Sequence, residues 1–314
     1  MKTLRERDRR VLTVYAMTLA IFVVTTIFLD GFASSTNIAI LLSEASFIGL
    51  VALGQTYVII GGGIDLSVPA VMTTSAVLMT RLVENDGSRL VWVLPVLLVG
   101  CVVVGLVNGI GVSVLGISPI VMTLAVQSLV TGLLLVVTQG ASGGNVVHAI
   151  TTLSTTKVIG IPIEVFIWAS VGVFAAFVLR RTAYGRRLYA VGSSPVAAEL
   201  AGVRLRRVTI TAYIVSALAA GVTGILFAGY AGQAYLTLGD PYLFPGIAAV
   251  AIGGASILGG NGSYSGTVGG AMLLAVLGGL LSFLGLKTAW LLIIYGVVIL
   301  VAVGLSGREG AEEA

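Results

Sequence analysis

Few residues in this sequence are equipped for chemistry. His148 is the one histidine and Cys101 the one cysteine. An intrachain disulfide is therefore impossible, and a metal site of the usual ligand type is not expected. Gly285-Leu286-Lys287-Thr288 carries the Lys-Thr of a phosphate-binding loop but lacks the spaced first glycine and follows an apolar run, so any ATP must be hydrolysed on another polypeptide. What remains is Asp65, in IIGGGIDLSVPAVM (59–72), and uncharged polar residues set inside apolar runs: Gln55, Thr56, Asn108, Thr123, Gln127 and Thr131. Such groups can line the path of a neutral solute, or bond one another between helices for roughly 0.6–2 kcal/mol each. A charge in hydrocarbon costs several kcal/mol, so Asp65 must cap a helix, pair or face water. It reads either as a cap or as part of a substrate path or gate. A proton relay would need a second carboxylate or histidine inside the membrane, and the chain offers only Glu44, near an outer edge.

These residues need a scaffold, and composition says which. Hydrophobic residues make up 57% of the 314, charged residues only 10%, and the mean hydropathy is +1.09. No soluble fold hides that much apolar surface. Apolar runs long enough to cross about 30 Å of hydrocarbon recur along the chain, without the alternating pattern of barrel strands. The expectation is an all-α polytopic membrane protein with about ten transmembrane helices, over 11–29, 46–61, 67–83, 90–109, 119–138, 163–179, 208–230, 244–258, 264–284 and 288–305. Glycine is placed to break helices near Gly61 and Gly253, and 35–45 reads as an extra interfacial or half-inserted piece. The first apolar run is long for a signal-peptide core and reads as a retained helix.

Charge gives the orientation. With ten crossings and a cytoplasmic N-terminus, the inner segments are 1–10, 62–66, 110–118, 180–207, 259–263 and 306–314, and they hold 13 of the 17 basic residues. Arg81, Arg89, Lys157 and Lys287 fall outside. This is the positive-inside asymmetry. Both termini are then cytoplasmic: 1–10 and 306–314 are tails, and 11–305 is a membrane domain with a cytoplasmic loop at 180–207. The net charge of +4 reports orientation and contact with lipid. No aromatic stacking platform accompanies the arginines, so nucleic acid is not a partner.

Within that loop, YGRRLYAVGSSPVAAELAGVRLRR (184–207) contains a bounded helix. Ser194 is a good N-cap, Pro195 suits the first helical position, and Gly202 supplies a left-handed stop. A helix of about two turns is marginal alone in water. It is either a solvated connector or a docking helix that takes force from a soluble partner.

The glycine-rich stretch GIAAVAIGGASILGGNGSYSGTVGGAM (246–272) reads first as close helix packing and a tight turn, since small residues let backbones approach. Three stretches together resemble ATP-binding-cassette permeases of the ribose/monosaccharide importer family. In the loop, Thr182, Gly185, Arg186, Tyr189, Ala190, Gly192, Ala197, Ala198 and Gly202 match the family's pattern, with Ser194 where Asn is frequent. In the second, Gly62 to Val68, including Gly63, match G-G-I-D-L-S-V, and Pro69 replaces a glycine. In the third, Gly253, Gly254, Ser256, Gly259, Gly260, Gly262, Ser263, Gly266, Thr267 and Gly270 hold the register.

The resemblance implies a non-enzymatic permease subunit, two of which form the pathway. It implies a separate ATPase carrying ATP and Mg, and an extracytoplasmic sugar-binding protein. It makes 194–202 the coupling helix, with Gly185, Arg186, Ser194, Pro195, Ala198, Glu199 and Gly202 as coupling residues, and leaves Gln55, Asp65, Asn108 and Gln127 as candidates for the substrate path. The outer loop 139–162, with Gln139, Ser142, Asn145 and His148, is either a contact for the binding protein or a loose connection. The alternative class is an ion- or proton-coupled carrier of a small neutral solute, which would want paired charges inside the membrane.

Overall fold

The computed structural model describes the backbone of residues 2–84 and 86–312, and side chains over 11–84, 86–287 and 289–301. The tail readings 1–10 and 306–314 fall on side chains outside those described.

The chain is all-helical apart from two-residue strands. Among the described residues, seven helices, not ten, are long and apolar enough to cross a membrane. They lie in α1 (Lys2–Phe28), α2 (Ser35–Ile60), α4 (Leu90–Ser113), α5 (Pro119–Thr138), α7 (Ile163–Arg181), α10 (Leu205–Ala231) and α12 (Tyr264–Phe283). Two expected crossings are shorter apolar helices, α3 (Val68–Val83) and the stretch Asp240–Ile252 containing α11 (Leu243–Ile252); the third lies in α13 (Thr288–Glu312), of which Ala289–Val301 falls among the residues with described side chains. At 1.5 Å per residue, a helix of 10–17 residues spans only about 15–26 Å. The segment 244–258 is cut short because the helix stops at Ile252, with Gly253 as its C-cap. Residues 35–45 are no separate piece. They form the first turns of α2, one helix of 26 residues.

The bundle is layered. The apolar window of α2 is 78% buried and that of α1 only 11%, so α2 belongs to the protein interior and α1 to the lipid boundary. Helices α10 and α12 share the interior with α2, while α4, α5 and α7 turn most of their surface outward. Close backbone approach holds the interior together. Added Cβ atoms on Gly105 and Gly109 would lie 2.5 and 2.6 Å from the Cα atoms of Ile214 and Ile210 on α10. Across the bundle, Trp168 of α7 donates to the Tyr264 hydroxyl (2.8 Å), which donates to the carbonyl of Gly49 (3.0 Å).

The stretch 139–162 is ordered. It contains β1 (Gly144–Asn145), α6 (His148–Thr155) and a hairpin of β2 (Lys157–Val158) and β3 (Ile161–Pro162). Strand β1 pairs antiparallel with β4 (Gln233–Ala234), and the Arg81 guanidinium donates to the carbonyls of Thr138 and Ala141, at 3.1 Å each. Asn145 is thus a strand residue and His148 opens α6, bonded to Thr152 (3.2 Å).

Packing predicts a contrast within one helix. Gly109→Leu should drive a side chain into the α10 backbone and lower stability by about 1–3 kcal/mol. Gly100→Leu, also on α4 but with nothing within 4 Å of the added carbon, should leave the thermal midpoint in detergent nearly unchanged.

Candidate functional site

The loop 180–207 folds into two short helices. Its first, α8 (Ala183–Ser193), was not expected. It is capped by Thr182, whose hydroxyl accepts the Gly185 N–H (3.3 Å), and it buries Gly185, Leu188 and Val191. Its second, α9 (Pro195–Leu200), begins at Ser194, whose Oγ accepts the Ala197 N–H (3.3 Å). At the other end, Gly202 adopts φ +78°. Its N–H donates to Glu199 O (2.8 Å), and Val203 N–H donates to Ala198 O (3.0 Å). These two bonds close a Schellman motif. Ala198 is the buried residue of α9, whereas Val196 and Leu200, one turn apart, are 71% and 87% exposed. Glu199 and Pro195 are exposed beside them, and so are Arg186, Arg187, Arg204, Arg206 and Arg207 around the loop.

Beneath α8 the three glycine stretches meet. Gly260 N–H donates to Ile60 O at the end of α2 (2.9 Å), and Ser193 lies against Gly260. A Cβ on Gly192 would overlap the Ile60 carbonyl oxygen, so α8 rests on the α2 end backbone to backbone. Gly259 sits against Gly62 and Gly192, and the Tyr189 hydroxyl donates to Gly262 O (2.8 Å). Gly62, Gly254, Gly259, Gly260 and Gly262 all hold positive φ. Gly253 and Gly266 form a separate contact, where α11 ends against the first turn of α12. A cavity of about 250 Å³ runs below α9, lined by Pro195, Gly61, Gly62, Gly63, Val191 and Tyr213 among others.

Past Gly63 the chain enters a sealed polar cluster. Gln55, Asp65, Ser67, Asn108 and Thr123 are each 0% exposed. Asp65 Oδ1 accepts the backbone N–H (2.9 Å) and the hydroxyl (2.6 Å) of Ser67. Ser67 Oγ in turn accepts from Asn108 Nδ2 (2.8 Å). Gln55 Nε2 donates to the Asp65 carbonyl (2.6 Å), and Leu66 N–H donates to Thr123 Oγ1 (3.0 Å). Asp65, not the Ser67 side chain, therefore serves the start of α3. Ser216 and Tyr213 of α10 face the same carboxylate. Asp65 has no cation within ion-pair distance among the described residues.

The structure thus gathers Gln55, Asp65 and Asn108 into one network, closed to solvent in this conformation. Gln127 stands apart on α5, half-buried, its Oε1 without a hydrogen bond. Tyr213 and Ser216 escaped the sequence reading. Their one signal is a Tyr-x-x-Ser spacing that sets both on one face of an otherwise apolar helix.

Two measurements probe this arrangement. Gly192→Val should separate α8 from the α2 end and expose the loop to protease, while Gly202→Ala, which meets nothing within 4 Å but must hold φ +78°, should strain only the stop of α9. In a double-mutant cycle, Asp65→Asn and Asn108→Ala should couple by about 0.5–3 kcal/mol, whereas Asp65→Asn and Gln127→Leu should add.

A family profile described as branched-chain amino acid transport system / permease component matches residues 37–303. The ribose import permease protein RbsC of Bacillus subtilis is 32% identical over 299 residues, covering 92% of this chain and 90% of that one. RbsC of Escherichia coli is 30% identical over 283 residues (89% and 88%). The autoinducer 2 import system permease protein LsrD of Photorhabdus luminescens is 30% identical over 300 residues (92% and 90%). No solved structure matches. These likenesses set aside the ion- or proton-coupled carrier. The chain belongs to the permease components of ABC transporters, in the ribose/sugar-import family, and is a multi-pass membrane transport subunit rather than an enzyme.

Proposed function

We propose that this chain is the membrane-spanning subunit of an ATP-driven importer that moves a monosaccharide delivered by an extracytoplasmic binding protein. Two permease subunits enclose the pathway. A separate ATPase binds ATP and Mg, and its groove holds Ser194 to Gly202. Residues 11–305 form the permease domain, between cytoplasmic tails at 1–10 and 306–314.

The observation that carries this reading is mechanical. A capped helix presents Val196 and Leu200 to solvent, and the helix before it rests on the Ile60 carbonyl with no side chain between. Helix α2 also carries Gln55 of the Asp65 cluster. Displacement of α9 therefore has a short, stiff route to the buried polar cluster, and two packed arrangements of that route suffice for alternating access. Gly185 sets the angle at which α8 leaves α7, since a Cβ there would strike the Leu179 carbonyl, and Arg186 beside it is exposed to a docking partner.

For the solute, the family profile is named for branched-chain amino acids, while several relatives at 30–32% identity over most of the chain are named for ribose. The buried polar cluster holds one carboxylate among amides and hydroxyls, with no cation in ion-pair reach among the described residues, which suits a neutral polyol better than a zwitterion, whose own carboxylate would find no positive partner. The LsrD relative is named for autoinducer 2, so sugar-like signals belong in the same assay.

Uptake of labelled ribose, a wider monosaccharide panel, autoinducer 2 and leucine should be measured in vesicles holding this chain with a cognate ATPase and binding protein. Monosaccharide uptake that needs ATP and survives loss of the proton and sodium gradients is the expected result. Preferred leucine uptake would overturn the solute assignment. Ser194→Pro forces a residue at φ −159° toward the proline value and removes the cap. Gly202→Val puts a β-branched residue at φ +78°. Both variants should insert normally and lose ATPase in a pull-down, as should Leu200→Glu. Normal retention by all three would refute the coupling role.

A further inference from the structure

At the end of the bundle opposite α9 lies a cavity of about 200 Å³ that the transport reading does not use. Thr36, Ile40 and Ser43 of α2, Ser154 of α6, Lys157 of the hairpin, Glu164 of α7 and Tyr230 of α10 contribute to its wall. Glu164 is 1% exposed, and neither carboxylate oxygen makes a hydrogen bond. Ser154, also 1% exposed, has an unbonded hydroxyl. A buried carboxylate without a partner is expensive, and a group that donates to it recovers that cost. The unpartnered Glu164 carboxylate makes the floor of the cavity favour a cation. Lys157, at the exposed rim, favours an anion.

The surroundings say what brings both charges. Thr36 and Glu164 occupy the first turns of α2 and α7, two membrane-crossing helices, so the cavity lies where a bilayer changes from hydrocarbon to headgroups. Exposed apolar side chains flank it: Ile40 on the wall, then Val158, Ile159 and Ile161 of the hairpin. Ile159 is 95% exposed at a hairpin tip where φ is positive for both Ile159 and Gly160. An apolar tip beside a lysine and a buried acid matches a zwitterionic lipid from its chains to its amine.

We infer that this cavity binds the headgroup of an aminophospholipid, with its primary ammonium group at Glu164 and Ser154, its phosphate at Lys157, and its acyl chains along Ile40 and the β2–β3 hairpin. A primary ammonium donates three hydrogen bonds, and its trimethylated counterpart donates none.

The full-length chain, delipidated in detergent, should be titrated with dioleoylphosphatidylethanolamine, its mono- and dimethyl derivatives, and dioleoylphosphatidylcholine, with retained lipid read by native mass spectrometry. Retention should fall along the methylation series, by about tenfold from first to last, the factor that one charge-assisted hydrogen bond supplies. Glu164→Gln should collapse that ratio to near one. Lys157→Gln should weaken all four lipids and preserve the ratio. Should Glu164→Gln fail to fold, the wild-type series decides alone. Equal retention across the series would overturn the proposal, as it would if the acid instead awaited a lysine from another protein. Ethanolamine alone competing off the lipid at equal concentration would replace the lipid with a free amine and also overturn it.

Discussion

The carbonyl of Ile60 is the point on which the rest of the structure turns. Helix α2 stops there, and the carbonyls of a last helical turn have no partner within the helix. In a lipid-embedded bundle, water is scarce and each such group must be satisfied by protein. The solution is a backbone N–H from Gly260, with Gly192 pressed against the same oxygen. A side chain at either glycine would hold these backbones apart. The need to satisfy one helix end thus draws together three stretches far apart in the chain, and it seats the amphipathic loop under the bundle.

The Asp65 cluster answers the same demand a few residues on. The chain between α2 and α3 is irregular backbone inside the protein, and side chains from α2, α4 and α5 bond its exposed groups. Gln55 takes the Asp65 carbonyl, Thr123 takes the Leu66 N–H, and Asn108 steadies Ser67. Polar residues that look like a transport path in sequence are, in this closed state, the scaffolding of a helix break. A path role then requires a second conformation in which the network opens.

Much of the architecture was legible because hydrocarbon imposes length and composition. Each of the ten apolar segments contains a helix, although 244–258 outruns the one that ends at Ile252, and the glycines at 61 and 253 do mark helix ends. The crossing count failed where segments were apolar but too short, as at Val68–Val83. The start of α2 was misjudged because Ser43, Glu44 and Ser46 interrupt its apolar run. Their burial depends on neighbours such as Tyr242, which bonds Glu44 (3.2 Å), and no local pattern announces that. Helix α8 hid behind two glycines, although Tyr184, Leu188 and Val191 keep helical spacing. The meeting of Asp65 with Asn108, Thr123, Tyr213 and Ser216 is purely tertiary, joining four elements over some 150 residues of chain.

Helix α9 has one more property. Both of its ends are closed by atoms of residues 194–203, so its shape is complete before anything touches it. Partners that fold on contact spend binding energy on ordering themselves. In the docking proposed above, that expense would be confined to the side chains of Val196, Glu199 and Leu200, at roughly 0.5–1.5 kcal/mol for each long one immobilised. Encounter would then need only alignment, and such a complex would form and release at a pace set by diffusion and fit rather than by folding.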